Sequence, residues 1–463
     1  MRLTFSAQRI HKKAKIDNDE FDKKLKEAKR SNTVFDNVKE AKDFRKQHRI
    51  KVYGTDVPNP FKSFEDLASP AYNLNPTLYK NLMTIKYNTP TPVQMQSIPI
   101  ILKGRDLMSC APTGSGKTLA FLLPILQDLK KPEKKISYRA LIIAPTRELV
   151  QQIAREAKHL SEGTKLRINV LTKATSADKA QNSESKQKFD ILITTPLRLV
   201  YAIKEKEVDL VNVRHMVLDE ADKLLDQGFL EQTDEIFAAC SSGKLQKSFF
   251  SATFSSHVES LANSVMNNPI RIVIGAKNAA TETIKQQLLF TGTEAGKTLA
   301  LRQLIQNGIK PPVLIFVQSV DRAKELFHEL VFDGINVEVI HSDRTKSQRD
   351  NIVNSFRQGK IWVLIATDLM ARGLDFKGVN LVVNYDFPQT VASYIHRIGR
   401  TGRAGRQGEA ITYYTQDDLP YLKSVVNVMK ESGCDVPEWM LNLKSLSHKQ
   451  KKEMRRGIER KSK

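Results

Sequence analysis

Cysteine is scarce in this 463-residue chain: Cys110, Cys240 and Cys434 stand far apart, with no CxxC-type spacing. That excludes a disulfide framework and a cysteine-held structural zinc, and it fits a reducing compartment. Long apolar runs are missing too. The strongest, around Val313–Val317, falls far short of the ~20 residues that a membrane-spanning helix needs. The opening residues contain no apolar stretch of signal-peptide length, so neither a membrane span nor secretion is expected. Tryptophan occurs only twice, yet 20 Phe, 11 Tyr and a hydrophobic fraction of 40% suffice for ordinary cores, which rules out global disorder. Acid is the minority charge: 51 Asp and Glu face 73 Lys and Arg, a formal net of +22. Such an excess points to a polyanionic partner, with RNA and ribosomes the largest intracellular candidates.

The charge is concentrated at the ends. Clusters such as Lys12-Lys13, Lys23-Lys24 and Arg45-Lys46 stand among few apolar residues, so the start of the chain reads as a mobile basic extension without a core. The stretch from Lys449 to Lys463 reads as a basic tail. Between them, short β-branched runs alternate with helix-length segments. Strands are expected over 107–109, 140–144, 168–171, 191–194, 216–218, 248–250 and 271–274, then over 313–317, 337–340, 363–366, 381–384 and 410–414. Buried strands separated by helices mean βαβ units and parallel sheets. A small, polar stretch near 275–281 divides two such halves. The expected organisation is a basic extension over 1–60, an α/β domain over 61–276, a linker over 277–284, a second α/β domain over 285–432, and a basic tail over 433–463.

One segment carries chemistry by its spelling. Ala111-Pro112-Thr113-Gly114-Ser115-Gly116-Lys117-Thr118 follows an expected strand and opens an expected helix. Glycines there let backbone N–H groups wrap phosphates, Lys117 reaches the β/γ oxygens, and the Thr118 hydroxyl suits Mg²⁺. The generic pattern has Gly where Ala111 stands; the alternative is a glycine-rich turn before a helix. Asp219-Glu220-Ala221-Asp222 follows the apolar run 216–218. A carboxylate at the end of a parallel strand is where a nucleotide's Mg²⁺ is held, directly or through water, so Asp219 is the metal candidate. Glu220, one residue on, suits activation of the attacking water. Alone, this acidic cluster would read as a helix cap.

The order of these segments resembles a DEAD-box RNA helicase of superfamily 2, over about residues 64–415. Such proteins have two tandem RecA-like α/β domains, with ATP and RNA bound across the cleft, and Ala111 is normal among them. Thr91-Pro92-Val93-Gln94 resembles the Q motif; the Gln94 amide, with donors and an acceptor, can read adenine N6 and N7. Phe64 is the expected stacking aromatic. Ser251-Ala252-Thr253 resembles the motif that couples hydrolysis to domain movement, with hydroxyls in reach of Asp222. His396-Arg397-Ile398-Gly399-Arg400-Thr401-Gly402-Arg403 supplies the coupling histidine and, as Arg400 and Arg403, the arginine fingers. Ala371-Arg372-Gly373-Leu374-Asp375 resembles the segment whose Asp375 contacts the ribose.

By the same resemblance, Arg147, Thr195, Arg198, Arg349, Thr367 and Arg397 are the expected RNA contacts, directed at the sugar-phosphate backbone with little base readout. Three departures stand out: Leu197 replaces the Gly of a TPGR-like segment, Leu171-Thr172-Lys173-Ala174 stands near the place of a Gly-Gly pair, and Lys346 replaces a Gln. They resemble the nucleolar branch that acts in small-ribosomal-subunit assembly. The resemblance thus implies an RNA-dependent ATPase using ATP and Mg²⁺ that clamps RNA and opens short duplexes, with pre-rRNA and assembly factors as partners in the nucleolus of the nucleus. The rival readings are an RNA clamp that serves as an assembly platform without unwinding, a helicase of another RNA pathway such as splicing, and a DNA translocase of the superfamily.

Overall fold

In the computed structural model the described residues are 35, 37–85, 89–133, 138–171, 189–225, 229–275, 283–368, 378–402 and 406–443. They form two parallel-sheet α/β domains. The first sheet contains β1 (Ile50–Tyr53), β2 (Leu107–Cys110), β3 (Ala140–Ile143), β4 (Ile168–Val170), β5 (Ile191–Thr194), β6 (His215–Asp219), β7 (Gln246–Ser251) and β8 (Ile270–Ile274), in the order β1-β8-β2-β7-β6-β3-β5-β4. The second contains β9 (Ile284–Gly292), β10 (Val313–Val317), β11 (Val337–Ile340), β12 (Val363–Thr367), β13 (Leu381–Asn384) and β14 (Gly408–Thr415), in the order β11-β12-β10-β13-β14-β9.

Alternation along the strands explains why helices cover both faces. In β3, Ala140 and Ile142 join one core cluster while Leu141 and Ile143 join another; in β10, Leu314 and Phe316 oppose Val313, Ile315 and Val317. A strand buried on both faces reads as a continuous apolar run, which is why the central strands stand out in the sequence. The functional loops lie at the C-terminal ends of these strands, where parallel sheets present their crevices.

The described part of the N-terminal extension departs from the expectation of a coreless segment, while the tail over 449–463 lies outside the described residues. Helix α1 (Val38–Gln47) buries Ala41 fully and packs Phe44 against the first core. β1 then pairs antiparallel with β8, from Ile50 opposite Ile274 to Tyr53 opposite Arg271. At the other end, residues 433–443 pack on the second domain, with Met440 buried and Val436 and Leu441 beside it. These segments have too few apolar residues to form a core alone, but a preformed sheet or helix offers each of them a place to bury. β9 was also not expected: its polar start, Lys285-Gln286-Gln287, suits an edge strand paired on one side only.

Candidate nucleotide and RNA site

β2 ends at Cys110, and the Ala111 N–H bonds the Ser251 carbonyl at 2.9 Å, which ties the phosphate-type loop to the end of β7. Gly114 and Gly116 have φ of 75° and 89°, the left-handed region that other residues avoid. A Cβ on Gly116 would also lie 2.3 Å from Gln94 Nε2. Helix α3 (Lys117–Leu129) starts there. Lys117 Nζ donates to the Ala111 and Pro112 carbonyls at 2.8 and 3.3 Å. Burial lowers the Lys117 pKa, opposed by Asp219 and Glu220. Ser115 Oγ is buried without a hydrogen-bond partner.

Asp219 closes β6, and Glu220 adopts φ 53°, a left-handed conformation that is costly for a residue with a Cβ. The Glu220 N–H bonds Asp219 Oδ1 at 3.0 Å, while Glu220 Oε2 is buried with no partner. Burial pushes the Asp219 carboxyl up to about 7, with Lys117 opposing and Glu220 adding to the rise. Two buried carboxylates set against one ammonium are short of positive charge. A hard divalent cation, held by the Thr118 hydroxyl and Asp219 oxygens together with phosphate and water, fits that donor set. Among the described residues no cluster of three or more His, Cys, Asp and Glu could hold a metal by itself.

The second domain reaches this site directly. On helix α4 (Val391–Ile398), His396 places Nε2 3.2 Å from Asp222 Oδ2, and the same oxygen accepts from Thr253 Oγ1 at 2.5 Å. Burial works to raise the Asp222 pKa, but His396, Thr253 and Ser251 together hold it well below the usual carboxylate range. Thr113 Oγ1 donates to the Gly399 carbonyl at 3.2 Å. A Cβ on Gly399 would sit 1.8 Å from that hydroxyl, so this close approach of the two loops needs glycine at the position. Arg400 is 4% exposed, with Nε bonded to the His396 carbonyl at 3.1 Å. Arg403 and Asp375 lie outside the described residues, as do positions 172–174 of the departure noted above.

At the adenine end two expectations shift. Gln94 is 1% exposed: its oxygen accepts the Thr91 N–H at 2.9 Å, and Nε2 donates to the Gly116 carbonyl at 3.1 Å. One N–H and one lone pair are left for a base. Phe64, expected as a stacking face, is instead fully buried in the first core against Phe61. Its ring presents no open face.

The expected RNA contacts divide in the same way. Arg147 is exposed at the first turn of a helix (Arg147–Leu160) that is capped by Thr146. Thr195 is half-buried as the N-cap of the helix Pro196–Lys204, with Leu197 beside it 62% exposed, and Thr367 ends β12. Arg198 pairs with Glu207 at 3.0 Å and lies over Tyr201. Arg349 pairs across the cleft with Glu148 at 3.3 Å. Arg397 is buried in the second domain: Nε bonds Asp368 at 2.5 Å and Nη1 bonds the Asp386 carbonyl at 2.6 Å. The expectation that Arg397 faces phosphate is corrected by these bonds, which spend its guanidinium inside the fold. Sequence reading missed Glu148, which in a first helical turn resembles a dipole cap, and it missed the Thr113–Gly399 contact, which has no local signal.

Two RecA-like domains with these loops on the facing walls of one cleft define a nucleotide-driven motor of the helicase type. The DEAD/DEAH box helicase family matches residues 91–261, and the helicase conserved C-terminal domain matches 296–405. The chain is 54% identical over 425 residues to "Probable ATP-dependent RNA helicase DDX52" of Mus musculus, covering 90% of this chain and 71% of that protein. It is 50% identical over 421 residues to "ATP-dependent RNA helicase ROK1" of Meyerozyma guilliermondii, covering 90% and 78%. Among solved structures, S. cerevisiae Dbp5 bound to RNA and ADP BeF3 aligns with TM-score 0.70 at 29% identity, over 81% of this chain and 94% of that one. Mss116p bound to ssRNA and AMP-PNP aligns with TM-score 0.72 at 29% identity, over 82% and 80%. The chain belongs to the DEAD-box ATP-dependent RNA helicases and is an RNA-dependent ATPase. Within that family it is of the DDX52 and ROK1 type.

Proposed function

We propose that the protein clamps RNA between its two domains when ATP is bound, opens short duplexes by that closure, and resets on hydrolysis. The observation that carries this reading is the pair of bonds joining the domains at the nucleotide site, His396 to Asp222 and Thr113 to Gly399. Lys117 turns from its loop carbonyls to the β/γ-phosphates, and the loop N–H groups hold the remaining oxygens. Thr118 and Asp219 would hold Mg²⁺, which when bound would offset phosphate charge. Glu220, with a free buried oxygen, takes the proton of the attacking water. The family resemblance gives Arg400 and Arg403 the role of stabilising the transferred phosphoryl group, Asp375 that of binding the ribose and Gln94 that of reading the adenine. Asp222, Ser251, Thr253 and His396 link the γ-phosphate state to closure. Arg147, Thr195, Arg198, Arg349 and Thr367 line the RNA path.

Because the site is split between domains, hydrolysis depends on closure, and closure depends on RNA. The test measures ATP hydrolysis with no nucleic acid, with single-stranded RNA and with single-stranded DNA, using Glu220→Gln as the blank. Stimulation by RNA alone supports the reading; equal rates in all three contradict it. Strand displacement at saturating ATP then separates unwinding from clamping alone.

The cellular role follows from the branch resemblance carried by Thr195-Pro196-Leu197-Arg198. We assign the chain to pre-rRNA maturation for the small ribosomal subunit in the nucleolus, with assembly factors choosing the target and the basic ends acting as a salt-sensitive tether. Crosslinking in cells checks this: bound reads enriched in pre-rRNA are expected, and enrichment in spliceosomal or messenger RNA would overturn it.

A further inference from the structure

The helix α2 (Pro92–Leu102) carries two buried glutamines that point to opposite sides, as residues two apart on an α-helix do. Gln94 faces the phosphate loop through its bond to Gly116. Gln96, 0% exposed, faces the chain that precedes the domain. Gln96 Nε2 donates to the Pro58 carbonyl at 2.9 Å, and Gln96 Oε1 accepts from Arg45 Nε at 2.8 Å. Arg45 Nη2 closes the ring by donating to the same Pro58 carbonyl at 2.9 Å.

Arg45 is itself held in place. It sits on α1, whose Phe44 packs on the first core and whose Glu40 pairs with Lys62 at 2.7 Å. β1 follows at once and is locked to β8, and the Gly275 N–H bonds the Arg49 carbonyl at 2.9 Å. Helix α2 is thus gripped on one side by the loop that faces phosphate and on the other by an N-terminal strap fixed to the sheet. Burial lowers the Arg45 pKa, consistent with a guanidinium placed there for its bonds rather than for solvation.

We propose that Arg45 is a positioning residue for nucleotide binding: by holding Gln96 it sets the rotation and height of α2, and with them the Gln94 amide against the phosphate loop. This rests on the reading of Gln94 as the adenine-recognising residue. A hydrogen bond at 3.1 Å between Gln94 and Gly116 leaves only a few tenths of an ångström before it weakens. Loosening the far side of the helix therefore reaches the nucleotide with no contact of its own.

The full chain carrying Arg45→Met, which keeps the apolar stem, is compared with wild type by titration with a fluorescent ADP, by KM for ATP and kcat at saturating RNA, and by melting temperature. A positioning role predicts nucleotide affinity weakened and KM raised by about five- to tenfold, with kcat within about twofold. Gln96→Met should show the same loss, and the double variant should be no worse than either single, since the pair acts as one unit. Unchanged affinity and KM in folded Arg45→Met would overturn the inference, as would a fall in kcat alone. Should Arg45→Met not fold, Arg45→Lys keeps charge and stem but cannot bond both partners, and gives the same KM comparison. Gln94→Ala separates the two claims. If it leaves adenine-nucleotide affinity intact, the reading of Gln94 fails; if it weakens binding while Arg45→Met does not, only the role of Arg45 fails.

Discussion

The two walls of the cleft make different use of side chains drawn from the same motifs. At the nucleotide wall, Lys117, Asp219, Glu220, Asp222, Thr253 and His396 are buried or half-buried; Asp222 takes bonds from Thr253 and His396, and the His396–Asp222 and Thr113–Gly399 bonds cross between domains. At the RNA wall, the expected contacts are separate. Arg147 is exposed, Thr195 half-buried, and Arg198 and Arg349 already paired with Glu207 and Glu148. Hydrolysis needs charges pre-placed in a dry site, where each is worth far more than in water. Backbone recognition sums many weak, exchangeable contacts. A single substitution should therefore be severe at the first wall and graded at the second.

Lys117→Ala should show the largest effect. Removing the ammonium that opposes the Asp219 and Glu220 carboxylates is expected to reduce RNA-stimulated ATP hydrolysis by about 10³-fold. Near-normal turnover would remove the basis for calling this wall concentrated. Glu220→Gln comes next, at about 10²–10³-fold in hydrolysis, with ATP and RNA still bound and the complex long-lived. Rapid RNA release from that variant would break the link between the walls, because closure would then not depend on uncleaved nucleotide.

The nucleotide wall was also the more legible in sequence, for a physical reason. Close approach to phosphate demands glycine at fixed places, and a metal-holding carboxylate must end a strand, so spelling and geometry are bound together. The central strands were legible through their double-sided burial, to within a residue or two at each end. What stayed hidden depended on distant partners. Helix α1 and β1 look like solvated basic chain until β8 and α2 give them something to pack on. Phe64 is an aromatic in the right region, but it is buried with Phe61 in the first core, which its own spelling does not show. Arg397 sits in a run of arginines that reads as a surface patch, and only Asp368 and Asp386 reveal it as internal.

Arg397 sharpens the comparison, because it is an RNA-type arginine that behaves as core. Arg397→Ala should lower stability by about 2 kcal/mol, since it takes the guanidinium away from the Asp368 carboxylate and the buried Asp386 carbonyl. The readout is the urea midpoint, with little change in the salt dependence of RNA affinity among folded molecules. A normal midpoint with a changed salt slope would return Arg397 to the RNA wall.

Arg147→Ala is the opposite case and the smallest effect. Its side chain is exposed at the start of a helix whose N-cap bond is made by Thr146, so the melting temperature should not move. RNA affinity should fall only about three- to tenfold, uniformly across sequences, and the slope of log affinity against log salt should lessen by about one, as for loss of one phosphate contact. The slope decides more than the affinity does. A fall in affinity with an unchanged slope would mean that Arg147 acts through its neighbour Glu148 and the Arg349 pair instead. The RNA wall would then be a linked array like the nucleotide wall, and the contrast between them would disappear.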